Sequence, residues 1–135
     1  MFKHRFYYFR IKNFTNMASI KENVAELNSM ILKGEILPAF DKFYAENVVM
    51  QDNDTPAREG KKACREFEEN FVNNLTAFRG AEVKDVLVSE EAGIAAIEWH
   101  FDYDHKEWGT RNYTQVAVQR WQDGKIVNEN FMYKG

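Results

Sequence analysis

The second half of the chain contains four strand-like segments separated only by short turns. They cover residues 82–88, 94–103, 108–121 and 125–133. Asp123-Gly124, between the last two, is a strong hairpin signal, because Asp and Gly tolerate the positive φ angles of a type I′ turn. Consecutive strands joined by short turns form an antiparallel meander. The sequence therefore predicts an antiparallel sheet over this half of the chain.

A capped helix is predicted to begin after Ser19. Ser19 and Glu22 form a capping box, in which a hydroxyl and a carboxylate satisfy two backbone N–H groups at a helix start. Apolar residues then follow at helical spacing, at Ile20, Val24, Leu27 and Ile31. Gly34 ends the helix as a C′ glycine.

Two further helices are predicted, with a short strand between them. The second helix runs from Glu35 to about Glu46 and carries Tyr44 on its buried stripe. Residues 48–50 form the strand, which leads into a turn-rich loop at residues 51–56. The third helix covers residues 60–78. Its charged residues are interpreted as a solvated face: Lys61, Lys62, Arg65, Glu66, Glu68 and Glu69.

The distribution of charge argues against one class of partner. The chain of 135 residues has the size of a single domain and a net charge of −3. Four of its 18 basic residues lie in residues 1–16, which contain no acid, so the rest of the chain is clearly acidic. No basic cluster follows a periodic face, and binding to nucleic acid depends on such a cluster. We therefore expect no nucleic-acid partner.

Residues 1–16 differ from the rest of the chain. They are basic and aromatic, and Met17-Ala18-Ser19 resembles a second start. We interpret residues 1–16 as an extension outside the fold and residues 17–135 as the domain. A basic arm docked on the acidic body, or a short added strand, is the alternative.

Two sequence features bear on the compartment. Cys64 is the only cysteine, so the chain forms no internal disulfide and is compatible with a reducing compartment. No apolar run approaches the roughly 18 to 20 residues of a membrane span, and residues 1–16 lack the continuous apolar core of a signal peptide. We expect a cytoplasmic protein that does not associate with a membrane.

Alternation along the strands indicates which side chains face the interior. Within residues 94–103, one face is aromatic and aliphatic and consists of Ile97, Trp99, Phe101 and Tyr103. In the last strand, the acid Glu129 shares its face with Val127, Phe131 and Tyr133. Both faces of residues 108–121 are mixed, so the inner face of that strand stays open. Its candidate polar pocket groups are Tyr113, Gln115 and Gln119.

The order of helix, helix, short strand, helix and four antiparallel strands resembles the nuclear transport factor 2-like superfamily. Cone-shaped domains of this superfamily include SnoaL-like polyketide cyclases, ketosteroid isomerase and scytalone dehydratase. The resemblance covers residues 19–135 and rests on residues 37–52, 58–63 and 121–127. It implies an α+β, cystatin-like fold, in which a strongly curved antiparallel sheet wraps around three helices as a cone. Because this fold hosts enzymes and non-enzymes alike, it does not specify a reaction.

The resemblance to ketosteroid isomerase assigns roles to individual residues. Asp52 falls where that enzyme has its general base, and Tyr133 falls on an aromatic residue that contacts the ligand. The pocket-lining positions are occupied by Ile97, Trp99 and Phe101. However, Leu27 and Ala117 lie where that enzyme has the tyrosine and aspartate of its oxyanion hole, so steroid isomerisation is not expected. SnoaL-like cyclases also carry an acid at the pocket floor, for which the candidates are Asp52 and Glu129.

These comparisons give a set of candidate site residues. The candidate catalytic groups are Asp52, with Tyr44 or Tyr133 as a neighbouring hydrogen-bond donor, and Glu129, whose alternative is a rim position paired with an arginine. The candidate ligand-binding residues are Tyr44, Ile97, Trp99, Phe101, Tyr103, Gln119, Phe131 and Tyr133. No metal site is predicted, because His100, Asp102 and Asp104 lie on the face opposite the inferred interior. No cofactor is expected either.

The expected function is that of a SnoaL-like domain that binds a small apolar organic molecule. If it is an enzyme, a pocket carboxylate would transfer a proton beside a carbonyl in an isomerase, cyclase or dehydratase reaction. A non-catalytic ligand-binding or protein-interaction module of the same fold is the alternative, and a transport role is the third possibility. We also expect a homodimer formed through the sheet.

Overall fold

The computed structural model describes residues 18–135, so the predicted extension at residues 1–16 lies outside the described residues. The elements are α1 (Ile20–Leu32), α2 (Ile36–Phe43), β1 (Tyr44–Asp52), β2 (Arg58–Glu59), α3 (Lys61–Asn73), β3 (Leu75–Ser89), β4 (Ile94–His105), β5 (Gly109–Gln122) and β6 (Lys125–Tyr133). Within residues 18–135, no helix is both long and apolar enough to cross a membrane.

The strands form one six-stranded sheet in the order β2-β1-β6-β5-β4-β3. β3 to β6 form the predicted antiparallel meander, and at the β5–β6 turn Asp123 and Gly124 both have positive φ, as a type I′ turn requires. The predicted α+β fold with a curved sheet and three helices is confirmed. One pair differs from the expected antiparallel arrangement, because β1 runs parallel to β6. These two strands are joined by most of the chain rather than by a hairpin, so no local turn dictates their direction.

The start of α1 is fixed by two carboxylates. The predicted capping box is confirmed, with Ser19 and Glu22 each bonding the backbone of the other. Glu90, in the β3–β4 turn, accepts hydrogen bonds from the backbone N–H groups of Ile20 at 2.8 Å and Lys21 at 2.9 Å. A carboxylate at a helix N-terminus is favourable because the helix dipole is positive there. The turn therefore anchors α1 to one end of the sheet.

Two helices are shorter than predicted. Helix α2 ends at Phe43, and Tyr44 is the first residue of β1 rather than part of the helix. Helix α3 ends at Asn73 instead of Phe78. Leu75 and Phe78 have helical spacing from Phe71, but they pair with His105 and Tyr103 of β4 as the beginning of a long strand. Long-range pairing with β4 therefore overrides the local pattern.

The structure defines the inner face of the sheet, which the sequence left open on β5. The buried residues of that strand are Gln115, Ala117, Gln119 and Trp121, whereas Thr114, Val116 and Arg120, on the opposite face, are exposed. The β5–β6 register shifts between Arg120 and Trp121. Because of this irregularity, Ile126 and Glu129 are both fully buried although they are three residues apart.

Candidate active site

A cavity of about 500 Å³ lies between the three helices and the inner face of the sheet. This volume is in the range of roughly 300–1,000 Å³ that small-molecule sites occupy. Aromatic residues form much of its wall, including Phe40, Phe67, Phe71, Trp99, Phe101, Tyr113 and Phe131. Trp99 and Phe101 stack on one another with ring centroids 5.2 Å apart. The wall therefore favours a flat, apolar ligand over a strongly hydrated ligand.

Glu129, on β6, is the most deeply buried acid in this wall. It is 2% exposed. Glu129 is therefore not the arginine-paired rim residue that the sequence left as an alternative. Tyr44 donates its hydroxyl proton to Oε1 of Glu129, and Gln119 Nε2 donates to Oε2 at 2.8 Å. Trp121 in turn donates to the Gln119 amide oxygen at 3.0 Å and fixes the orientation of that amide.

The pKa of Glu129 is raised to about 7, mainly because burial penalises the carboxylate form. The hydrogen bonds from Tyr44 and Gln119 favour the charged form, and the nearby Asp52 opposes it, but burial outweighs the hydrogen bonds. Near neutral pH, Glu129 is therefore present in both protonation states. A group of this kind can accept and return a proton without leaving its place.

Asp52, at the end of β1, lies in the same cavity but is held in a different way. Val48 and Met50 on the same side of the strand are buried in the core, so the alternation directs Asp52 to the cavity. Arg58 Nη2 donates to Oδ1 of Asp52 at 2.8 Å, and the hydroxyl of Tyr133 donates to Oδ2 at 2.7 Å. Arg58 itself lies 3.8 Å above the ring of Phe67. Both carboxylate oxygens of Asp52 are therefore engaged.

Glu68 is a third acid in the cavity wall, contributed by α3. The sequence placed it on a solvated face, and this interpretation is wrong. Glu68 is only partly exposed, and the carboxylate has no hydrogen bond or ion pair within residues 18–135. Desolvation, followed by the charge of Glu129, raises the pKa of Glu68 to about 7, while Arg58 acts in the opposite direction. Glu68 and Glu129 therefore resist being ionised together.

Most predicted site residues meet at this cavity. Its wall contains both candidate acids and seven of the eight predicted ligand-binding residues, namely Tyr44, Trp99, Phe101, Tyr103, Gln119, Phe131 and Tyr133. Ile97 is not part of the wall, because it is fully buried in the core beneath it. The two predicted tyrosine donors bind different acids: Tyr133 donates to Asp52, and Tyr44 donates to Glu129.

The outer face of β4 carries the acidic residues that were considered for a metal. Asp102 and Asp104 both accept hydrogen bonds from Arg79, at 2.8 and 2.9 Å. Across residues 18–135, no group of three or more His, Cys, Asp or Glu side chains has an arrangement that could hold a metal ion.

Five polar residues of the wall were missed by the sequence interpretation: Asn28, Thr55, Arg58, Glu68 and Arg111. A signal existed for two of them. Asn28 is four residues after the buried Val24, and Glu68 is four residues after the buried Cys64, so each lies on the inner stripe of its helix. Arg58 had no comparable signal, because its position depends on the pairing of β2 with β1.

A curved sheet that covers three helices and encloses an acidic, aromatic cavity is the architecture of the nuclear transport factor 2-like proteins. The chain belongs to the SnoaL-like domain family, whose model matches residues 25–129. The expected resemblance is thus confirmed. No curated protein shows significant sequence similarity to the chain.

Solved structures share the fold at low sequence identity. A candidate SnoaL-like polyketide cyclase from Mesorhizobium loti is 22% identical, has a TM-score of 0.74, and matches 84% of this chain and 98% of its own. A candidate isomerase from Bacillus subtilis is 18% identical, with a TM-score of 0.68 and 84% of each chain covered. An NTF2-like protein of unknown function from Burkholderia pseudomallei is 14% identical, with a TM-score of 0.72, covering 87% of this chain and 92% of its own. At these identities the similarity establishes the fold alone.

Proposed function

We propose that this protein binds a small, largely apolar carbonyl compound in the cavity and transfers a proton next to the carbonyl group. The observation that carries the proposal is the position of Glu129: a carboxyl group buried in the wall of a 500 Å³ aromatic cavity, with a pKa of about 7. A proton-transfer group is most effective when its pKa lies near the working pH. The names of the cyclase and isomerase neighbours are consistent with this class of reaction.

The surroundings of the two candidate acids favour Glu129 over Asp52 as the group that takes the proton. Asp52 is held on one oxygen by the Arg58 guanidinium and on the other by Tyr133. Protonating Asp52 would break its ion pair with the Arg58 guanidinium, whereas both hydrogen-bond donors on Glu129 are neutral groups. We assign to Asp52 the role of holding Arg58 and Tyr133 at the cavity wall, where both can orient a polar group of the ligand.

Glu68 supplies the second proton that such a reaction needs. In the proposed step, the Glu129 carboxylate takes the proton from the carbon next to the carbonyl, and the electron pair of the C–H bond becomes the second bond of an enol. The carbonyl oxygen receives the proton of the Glu68 carboxylic acid. Glu129 ends protonated and Glu68 ends ionised. Because the pair resists double ionisation, one member carries a proton while the other is free to accept one.

The step can be tested by following hydrogen–deuterium exchange beside the carbonyl of 2-tetralone in D₂O by NMR. We chose this ketone because it is flat, aromatic and enolisable. The wild-type protein should accelerate the exchange, and Glu129→Gln should slow it by about 100-fold or more, the lower end of the usual contribution of a positioned acid–base group. Glu66→Gln is the control for exchanging a glutamate for glutamine, since Glu66 is exposed and is not part of the cavity wall.

The outcomes of this test distinguish Glu129 from Asp52 as the base, and an enzyme from a binding module. Loss of exchange in Asp52→Asn together with full exchange in Glu129→Gln would return the role of base to Asp52. If the wild-type protein exchanges 2-tetralone no faster than either Glu129→Gln or Asp52→Asn does, the proton-transfer proposal is wrong, and the non-catalytic binding module becomes the better description.

A further inference from the structure

Asn28 is a polar residue on the otherwise apolar inner stripe of α1. It is 6% exposed, next to Leu27 at 1%, and it forms part of the cavity wall. Its amide oxygen has no hydrogen-bond partner within residues 18–135. A buried acceptor without a partner destabilises a folded protein, so native structures rarely retain one without a reason.

The carboxylate of Glu129 and the hydroxyls of Tyr103 and Tyr113 differ from Asn28 in this respect. Glu129 is bonded by Tyr44 and Gln119, and the hydroxyls of Tyr103 and Tyr113 lie 3.0 Å apart and bond one another. These groups are satisfied within the protein. The Asn28 side chain belongs to none of these networks, and the residue lines the space that a ligand would fill. A ligand hydroxyl or N–H group is therefore a natural partner for it.

We propose that Asn28 orients the ligand by accepting a hydrogen bond from a hydroxyl or N–H group of the bound molecule. The ligand class is thereby narrowed to largely apolar molecules that carry at least one hydrogen-bond donor. This inference rests on the proposed function only in that the cavity binds a small molecule. It does not require proton transfer.

The test compares two flat probes of similar size, 2-naphthol with a hydroxyl donor and 2-fluoronaphthalene without one. Isothermal titration calorimetry at pH 7 gives the affinity of each for the wild-type protein, Asn28→Leu and Asn28→Ala. The control is Asn23→Leu, because Asn23 is on the same helix but is not part of the cavity wall. One hydrogen bond corresponds to about a threefold to tenfold preference for 2-naphthol.

We expect that preference in the wild-type protein and in Asn23→Leu, and its loss in both Asn28 variants. Asn28→Leu should also unfold at the same or a higher urea concentration than the wild-type protein, because an unpaired buried amide has been removed. A stability that rises while the donor preference falls is not the signature of a structural residue.

Three results would overturn the proposal: an unchanged preference for 2-naphthol in both Asn28 variants, an equal loss of affinity for both probes, or no binding of either probe to the wild-type protein. The last would also remove the small-molecule site itself. A donor preference that depends on Asn28, in a protein that does not exchange 2-tetralone, would support this inference and contradict only the proposed proton transfer.

Discussion

The burial of Glu129 predicts an unusual dependence of stability on pH. Its pKa rises from an ordinary value of 4.5 to about 7 on folding. A tenfold change in proton affinity corresponds to about 1.4 kcal/mol, so ionising Glu129 destabilises the folded state by about 3 kcal/mol relative to the unfolded chain. The stabilisation that comes from the protonated group is complete below the unfolded pKa and is lost as the pH rises through about 7.

Glu129→Gln isolates this effect, because glutamine has nearly the shape of the protonated acid and does not titrate. Urea unfolding of the wild-type protein and the variant should be compared at pH 5, 6, 7 and 8. We expect the wild-type protein to lose about 2 to 3 kcal/mol relative to the variant between pH 5 and pH 8. Changed hydrogen bonds to Tyr44 or Gln119 add an offset that is the same at every pH, so the slope is the quantity to measure.

Two outcomes would refute this reasoning. A difference between the two proteins that stays constant from pH 5 to pH 8 would mean that Glu129 has an ordinary pKa in the folded state. A wild-type protein that gains stability relative to the variant as the pH rises would mean that Tyr44 and Gln119 stabilise the carboxylate more than burial penalises it. In either case Glu129 would not be a suitable proton carrier at neutral pH.

Two further predictions concern Glu68 and the outer face of the sheet. In Glu68→Gln, carbon-13 NMR should detect only the titration of Glu129 near neutral pH. That titration should move to lower pH than in the wild-type protein, because the repulsion between the two carboxylates is gone. An unchanged titration of Glu129 would show that the two acids are not coupled. We propose that the homodimer forms through Val116 and Met132, which are 37% and 47% exposed and pair across β5 and β6. Met132→Lys should then sediment as a monomer, Leu87→Lys on β3 should not, and a monomeric wild-type protein would contradict the proposal.

The sequence predicted elements wherever local patterns are strong. The capping box at Ser19, the turn at Asp123-Gly124 and the inward row on β4 all depend on residues a few positions apart, and the structure contains each of them. The end of α3 depends instead on a distant partner. Leu75 fits the helix by spacing, but its pairing with His105 of β4 is not visible in any local window.

The cavity explains why parts of the site could not be predicted. Periodicity identifies interior positions by assuming that they are apolar, and polar side chains in a cavity wall break this assumption. Gln115 and Gln119 made the inner face of β5 look solvated, although both are buried. Glu68 was assigned to the outside of α3 for the same reason. The failures of the hydrophobic pattern are therefore concentrated at the residues that line the site.

The parallel pairing of β1 with β6 brings the two candidate acids, Asp52 and Glu129, into one site. Its register sets Met50 beside Glu129 and Asp52 beside Phe131, so the two acids lie diagonally across adjacent strands on the same face. A shift of this register by one residue would turn the inner residues of one strand to the other face of the sheet. The sequence could name Asp52 and Glu129 individually, since each stands out in its own strand. Their different surroundings follow from the neighbouring strands, because β2 brings Arg58 to Asp52 and β5 brings Gln119 to Glu129.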